Sequence, residues 1–191
     1  SAPPMRRLAG QTLGLVGFGK IAQMVAERAK GFGLKVLAFD PYVNVEFTRS
    51  LGVEAASLEE VLAEGDILSL HLPLSDTTAG FIDRNKFGLM KKRPLLINTS
   101  RGKVINEADL IEALKSGQLS GAALDVLTNE PPDFASPLFH MENVIITPHA
   151  GFYSETSVEE LRRRCALNIT HFLAGEYEKV NIVNKEVMNQ F

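Results

Sequence analysis

Cysteine is almost missing from this chain. Cys165 is the single thiol in 191 residues, so no disulfide can form within the chain, and a reducing compartment, the cytoplasm, is the expected setting. Its place on the apolar face of a helical pattern predicts packed core rather than a reactive thiol. An excess of one charge sign is missing too. Lys and Arg number 20 and Asp and Glu 23, for a formal net charge of -3. No basic patch invites nucleic acid, and no polybasic or amphipathic segment invites a membrane. No apolar run approaches the ~18 residues of a spanning helix, and no signal-peptide pattern opens the sequence. Repeats at the ~20–50-residue periods of repeat architectures are absent apart from the alternation described below, and no metal-ligand set is expected. What remains is an ordinary globular composition, 45% hydrophobic, long enough for one well-packed domain. Ser1-Ala2-Pro3-Pro4 reads as a linker remnant or cloning scar.

The stretch Thr12–Asp40, TLGLVGFGKIAQMVAERAKGFGLKVLAFD, organises the rest. An apolar run (Leu13, Leu15, Val16) leads into Gly17-Phe18-Gly19-Lys20-Ile21-Ala22. A helical pattern follows, with Ile21, Met24, Val25 and Ala29 expected on its buried face. A second apolar run, Val36–Phe39, ends at Asp40. Gly17 lets the chain turn off the first strand. Gly19 leaves room for a pyrophosphate to approach the backbone, and Ala22 is the small residue that lets helix and strand pack closely. The free N–H groups and dipole at the helix start favour phosphate. Asp40 is placed to accept hydrogen bonds from ribose hydroxyls and to repel a 2′-phosphate, which predicts NAD rather than NADP.

Beyond Asp40, strands and helices alternate. A short helix is expected over Val45–Leu51, and Ser57-Leu58-Glu59-Glu60 reads as a capping box for a helix running to about Glu64. Strands are expected at Ile67–Leu70, Leu95–Asn98, Gly121–Leu124 and Val144–Thr147. Further helices are expected at Lys86–Met90, at Glu107–Leu114 behind an Asn106 cap, and at Glu155–Ala174, stopped by Gly175. The last should bury Val158, Leu161, Cys165, Ile169 and Phe172. This alternation predicts an α/β fold, a Rossmann-type doubly wound parallel sheet with helices on both faces.

In such sheets the ligand lies beyond the carboxyl ends of the strands. Those ends carry, in order, the glycine turn, Asp40, His71 with Pro73, Arg101, Asp125 with Glu130 on its loop, and His149. Hydride exchange between nicotinamide and a hydroxy acid needs a cation for the substrate carboxylate, and an arginine supplies it bidentately. It also needs a group that exchanges the hydroxyl proton near neutral pH, which suits histidine, and a carboxylate beside that histidine to fix its tautomer. Arg101, His149 and Glu130 can fill these roles. Each alone has a plainer reading, as a solvated arginine, a helix-capping histidine and a solvent-facing acid.

The segments LGLVGFGKIAQMVAERAKGFGLKVLAFDPY, HLPLSDTT, LLINTSRGKVINEADLIEAL, GAALDVLTNEP and VIITPHAGFYSE closely resemble the cofactor domain of the D-isomer-specific 2-hydroxyacid dehydrogenases, which include the phosphoglycerate, glyoxylate/hydroxypyruvate, D-lactate and formate dehydrogenases. The resemblance runs from about Leu8 to Asn184. It implies Arg101 as the substrate-binding arginine, Glu130 as the acid paired with the histidine, and His149 as the acid/base. It implies an NAD site drawn from Gly17, Gly19, Lys20, Ile21, Asp40, Leu72, Pro73, Thr78, Thr99, Ser100, Arg101, Asp125, His149 and Gly151, with Asp125 near the carboxamide. Ser100, often alanine in the family, is a small departure. The implied substrate is a small 2-hydroxy or 2-keto acid, and the implied assembly is a homodimer. The family places a substrate domain of about a hundred residues before the cofactor domain, so residues 1–191 are expected to be a single NAD-binding domain excised from a longer enzyme, with residues 180–191 returning to the missing part. The HAGFYSE turn also resembles the C-terminal-binding-protein corepressors, so a non-catalytic NAD-sensing scaffold stands as an alternative. A different nicotinamide enzyme sharing the fold is another.

Overall fold

The computed structural model describes residues 6–184 and 186. The expectation for residues 1–4 and most of that for the end of the tail lie outside them. Seven strands form one sheet: β1 (Thr12–Val16), β2 (Lys35–Phe39), β3 (Glu54–Ala55), β4 (Ile67–Leu70), β5 (Leu95–Asn98), β6 (Gly121–Leu124) and β7 (Val144–Ile146). Every pairing is parallel, in the order β3-β2-β1-β4-β5-β6-β7. This is the doubly wound Rossmann arrangement, in which chain order reverses between β1 and β4 and opens a crevice at their carboxyl ends. The helices are α1 (Lys20–Gly31), α2 (Val45–Ser50), α3 (Leu58–Glu64), α4 (Arg84–Phe87), α5 (Glu107–Lys115) and α6 (Glu155–Leu173). None among the described residues is long and apolar enough to cross a membrane.

Over β1 and β2 both sheet faces are covered, as a parallel sheet requires, while Ile145 of β7 is 67% exposed. The period of two along β1 and β2 sends Leu13, Leu15, Val36 and Ala38 to one face, where Ala22, Ala26 and Ala29 of α1 meet them. Val16 and Leu37 turn to the other face, against Val61 and Leu62 of α3, while Leu110, Ala113 and Leu114 of α5 extend that same core. Each large side chain fully buried here contributes about 1.5–3 kcal/mol.

The structure corrects several expectations. The buried stripe of α1 is the alanine row, while Ile21 and Met24 are exposed. Small side chains let the helix lie close on the sheet, and the bulky ones are displaced outward. β3 was not expected. It is two residues long, too short for any periodic signal. α4 begins two residues earlier than Lys86, because Asp83 caps it by accepting from the Lys86 N–H. The face of α6 expected in the core is not buried, and Cys165 is exposed.

The chain divides into two compact units, residues 1–149 and 150–191. The first holds the sheet. The second is built on α6, which starts at a Ser154–Ser157 capping box. It ends in a Schellman turn, with Gly175 N–H donating to the Phe172 carbonyl and Glu176 N–H to that of His171.

Candidate functional site

The crevice between β1 and β4 is shaped by Gly17. It sits at φ 91, and a Cβ there would stand 2.8 Å from the His71 carbonyl oxygen. Only glycine satisfies both constraints, and so the two strand ends can close on one another. At Gly19 a Cβ would meet nothing within 4 Å, so the space before the start of α1 is open. The other five helices have a side-chain cap from Asn44, Ser57, Asp83, Asn106 or Ser154. α1 has none, carries no acid in its first turn, and begins with Lys20. Its first N–H groups lack acceptors within the helix. A cation at the positive end of a helix is unfavourable unless an anion joins it.

This open start forms one wall of a cleft of about 650 Å³ lined by Gly19, Lys20, Ile21, Ala22, His71, Leu72, Pro73, Leu74, Thr99, Ser100 and Arg101. Eight of the residues expected around a dinucleotide meet there. Asp40 stands at the end of β2 and holds the glycine turn: its Oδ2 accepts from Phe18 N–H at 2.9 Å and its Oδ1 from Tyr42 N–H at 2.9 Å. Thr78 uses its hydroxyl on its own loop, donating to the Pro73 carbonyl at 2.6 Å and accepting from Ser75 N–H at 2.8 Å. It shapes the loop rather than lining the cleft. His71 lies within 3.0 Å of the Ser69 hydroxyl through Nε2, and burial pushes its imidazole down to about 4. It is neutral at physiological pH and adds no charge to the cleft.

A second cleft, of about 500 Å³, opens at the ends of β6 and β7. Its lining includes Asp125, Glu130, Phe134, Phe139, Thr147 and His149. His149 Nδ1 lies 2.8 Å from Glu130 Oε2, both side chains being 44% exposed. His149 has a left-handed backbone, φ 54, and its N–H donates back to the Thr147 carbonyl, a tight turn that swings the imidazole toward the Glu130 loop. Asp125, 8% exposed, accepts from the Thr147 hydroxyl at 2.5 Å, tying β6 to the strand that delivers His149.

The structure thus brings His149 and Glu130 into direct contact. Arg101 lines the neighbouring cleft and donates through Nη1 to the Ser100 carbonyl. The two clefts share no lining residue. Gly151 belongs to the second unit. Sequence reasoning missed Asn98 and Thr147. Asn98, fully buried, bonds the turn that carries Arg101, and its only signal was a polar residue closing an apolar strand.

The first 151 residues match the family profile described as D-isomer specific 2-hydroxyacid dehydrogenase, NAD binding domain. The chain is 42% identical over 179 residues to a glyoxylate reductase of Korarchaeum cryptofilum, covering 94% of this chain and 54% of that protein. It is 41% identical over 178 residues to a D-3-phosphoglycerate dehydrogenase of Methanocaldococcus jannaschii, covering 93% of this chain and 34% of that one. A D-lactate dehydrogenase of Lactobacillus jensenii, solved with NAD+, superposes with a TM-score of 0.83 at 33% identity, covering 92% of this chain and 57% of that one. The chain spans about half the length of the glyoxylate reductases it matches.

Proposed function

Since the chain belongs to the D-isomer-specific 2-hydroxyacid dehydrogenase family and is an NAD-binding domain of it, we propose that it carries the acid/base and carboxylate-binding half of an enzyme interconverting a D-2-hydroxy acid and its 2-keto acid. The observation that carries this reading is the 2.8 Å pair of His149 and Glu130 on the same sheet edge as the Arg101 cleft.

The crevice residues fit NAD. The glycine turn and the start of α1, with Lys20 and Ile21, hold the pyrophosphate. Asp40 takes the ribose, Leu72 and Pro73 flank the adenosine half, and Thr99 and Ser100, with Asp125 of the neighbouring cleft, face the nicotinamide half; Thr78 holds the loop after Pro73, and Gly151 is proposed from the family resemblance alone. When bound, the nicotinamide supplies or accepts the hydride. Arg101 holds the substrate carboxylate through its guanidinium fork. His149 gives a proton to the carbonyl oxygen in the reductive direction and takes it back in the oxidative one. Glu130 engages Nδ1, which assigns proton exchange to Nε2 and holds the ring in place. We place the enzyme in the cytoplasm, in keeping with its one exposed thiol, and as a homodimer, the commonest closed assembly.

The test is NADH oxidation by the full-length protein with glyoxylate, hydroxypyruvate, pyruvate and phosphohydroxypyruvate. At least one should be reduced. His149→Ala should lower kcat by about 10²–10⁴-fold, and Arg101→Ala should raise KM and lower kcat. Wild-type turnover by His149→Ala would overturn the acid/base role, and no turnover by the wild type would favour the scaffold alternative.

A further inference from the structure

We propose that Asn98 is the positioning residue for Arg101, and that Gly102 is the joint holding the same turn against the loop that carries Glu130. Asn98 closes β5 and is fully buried. Its Oδ1 accepts from both the Ser100 N–H at 3.0 Å and the Ser100 hydroxyl at 2.9 Å. Its Nδ2 donates to the Arg101 carbonyl at 3.0 Å. One amide therefore fixes the backbone at both ends of the Ser100–Arg101 segment, from the Ser100 nitrogen to the Arg101 carbonyl. Its own carbonyl accepts from Asp125 N–H at 3.0 Å, so the turn is also referenced to the end of β6. No aliphatic or ionised acidic side chain of this size can both accept from Ser100 and donate to Arg101.

The next residue completes the device. A Cβ on Gly102 would stand 2.0 Å from the carbonyl carbon and oxygen of Leu127 and 2.6 Å from the nitrogen of Thr128. These are backbone atoms, which cannot swing aside as a side-chain tip can. The turn after β5 therefore lies directly on the segment leading to Glu130, whose side chain holds His149. The carboxylate-binding cation and the acid/base pair line different clefts, and this backbone contact joins the loops that carry them. Alignment of reacting groups is a large part of catalysis, and small misplacements are costly in rate.

The inference rests on the proposed roles of Arg101 and His149, and a double-mutant cycle in the full-length enzyme separates the two. Asn98→Asp, assayed at a pH where the carboxylate is ionised, keeps the acceptor and loses the donor. It should raise KM for the keto acid about tenfold or more, in the range expected for a lost buried hydrogen bond, while NADH affinity measured by fluorescence changes less. In an Arg101→Ala background the same substitution should have almost no further effect on KM. Effects that multiply instead would overturn the proposal, and Asn98 would then be a general structural residue. Normal kinetics for Arg101→Ala alone would mark failure of the functional reading itself. Gly102→Ala should lower kcat and change the pH profile of reduction, because it displaces the Glu130 loop; a wild-type profile would remove Gly102 from the proposal. Asn98→Ser serves in the cycle if Asn98→Asp does not fold. Hydrogen exchange on the wild type needs no variant: the Ser100 amide, outside the sheet ladder, should be protected nearly as well as those of β5, and rapid exchange there would overturn the proposal.

Discussion

At the scale of single residues, two ionisable groups have consequences that can be measured directly. His71 is held at about 4 by burial, well below its ordinary 6.5. Between these values the unfolded chain binds a proton that the folded chain refuses. The stability present above about pH 6.5 is therefore lost progressively as pH falls toward 4. Urea midpoints across this range should fall more steeply for the wild type than for His71→Gln, which keeps a polar partner for Ser69 but does not titrate. Parallel curves would remove His71 as the cause. Asp40 has a different duty. Its two oxygens already hold the Phe18 and Tyr42 N–H groups, and each retains accepting capacity for a ribose hydroxyl. Asp40→Ala should weaken NAD binding and narrow the preference over NADP, as read by calorimetry. Equal wild-type affinity for the two cofactors would refute the assignment.

At the scale of elements, the closeness of α3 to β1 depends on Gly14. A Cβ there would lie 2.6 Å from Leu68 Cδ2 and 2.8 Å from Val61 Cγ1. Gly14→Ala should cost about 1–3 kcal/mol through overpacking, seen as a lower denaturation midpoint. Little or no loss would mean that α3 can shift freely on the sheet. Six of the seven strands were legible because their apolar runs end in glycine or polar turns, and α3 and α5 were legible because Ser57 and Asn106 announce them by capping. The packing of α1 was not, since hydrophobic periodicity favours Ile21 and Met24 while the contact distance favours alanine. The apolar spacing of α6 predicted burial that no residue of that helix has. Periodicity reports which face can be covered, not what covers it. Of the candidate site, Arg101, Glu130 and His149 stood out in the sequence as polar groups at strand ends, and the 2.8 Å pair between the last two did not. It depends on the left-handed turn at His149, which no residue type in that turn announces.

At the scale of the whole molecule, the binding crevice lies within one unit, while the glyoxylate reductases the chain matches are about twice as long. The 191-residue chain alone is therefore expected to bind NADH, with fluorescence or calorimetry as the readout, and to reduce keto acids negligibly in the same buffer. Full turnover by the isolated chain would show that the additional length of those relatives is not needed for catalysis here. The all-parallel order of the sheet has one more consequence. Every strand enters from one rim, at Gln11, Leu34, Val53, Asp66, Pro94, Ser120 and Asn143, and leaves at the other, where Gly17, Asp40, Ala56, His71, Thr99, Asp125 and Thr147 begin the loops. At the entry rim Asp66 accepts from the Thr12 N–H, as Asp40 does from Phe18 at the exit rim: the same device, once between neighbouring strands and once at the glycine turn. A library of random substitutions should therefore sort by rim, entry-side changes lowering yield of folded protein and exit-side changes, those at Gly17 excepted, leaving abundant protein with altered catalysis. Selection can then remodel the chemistry of one rim while the other keeps the fold heritable.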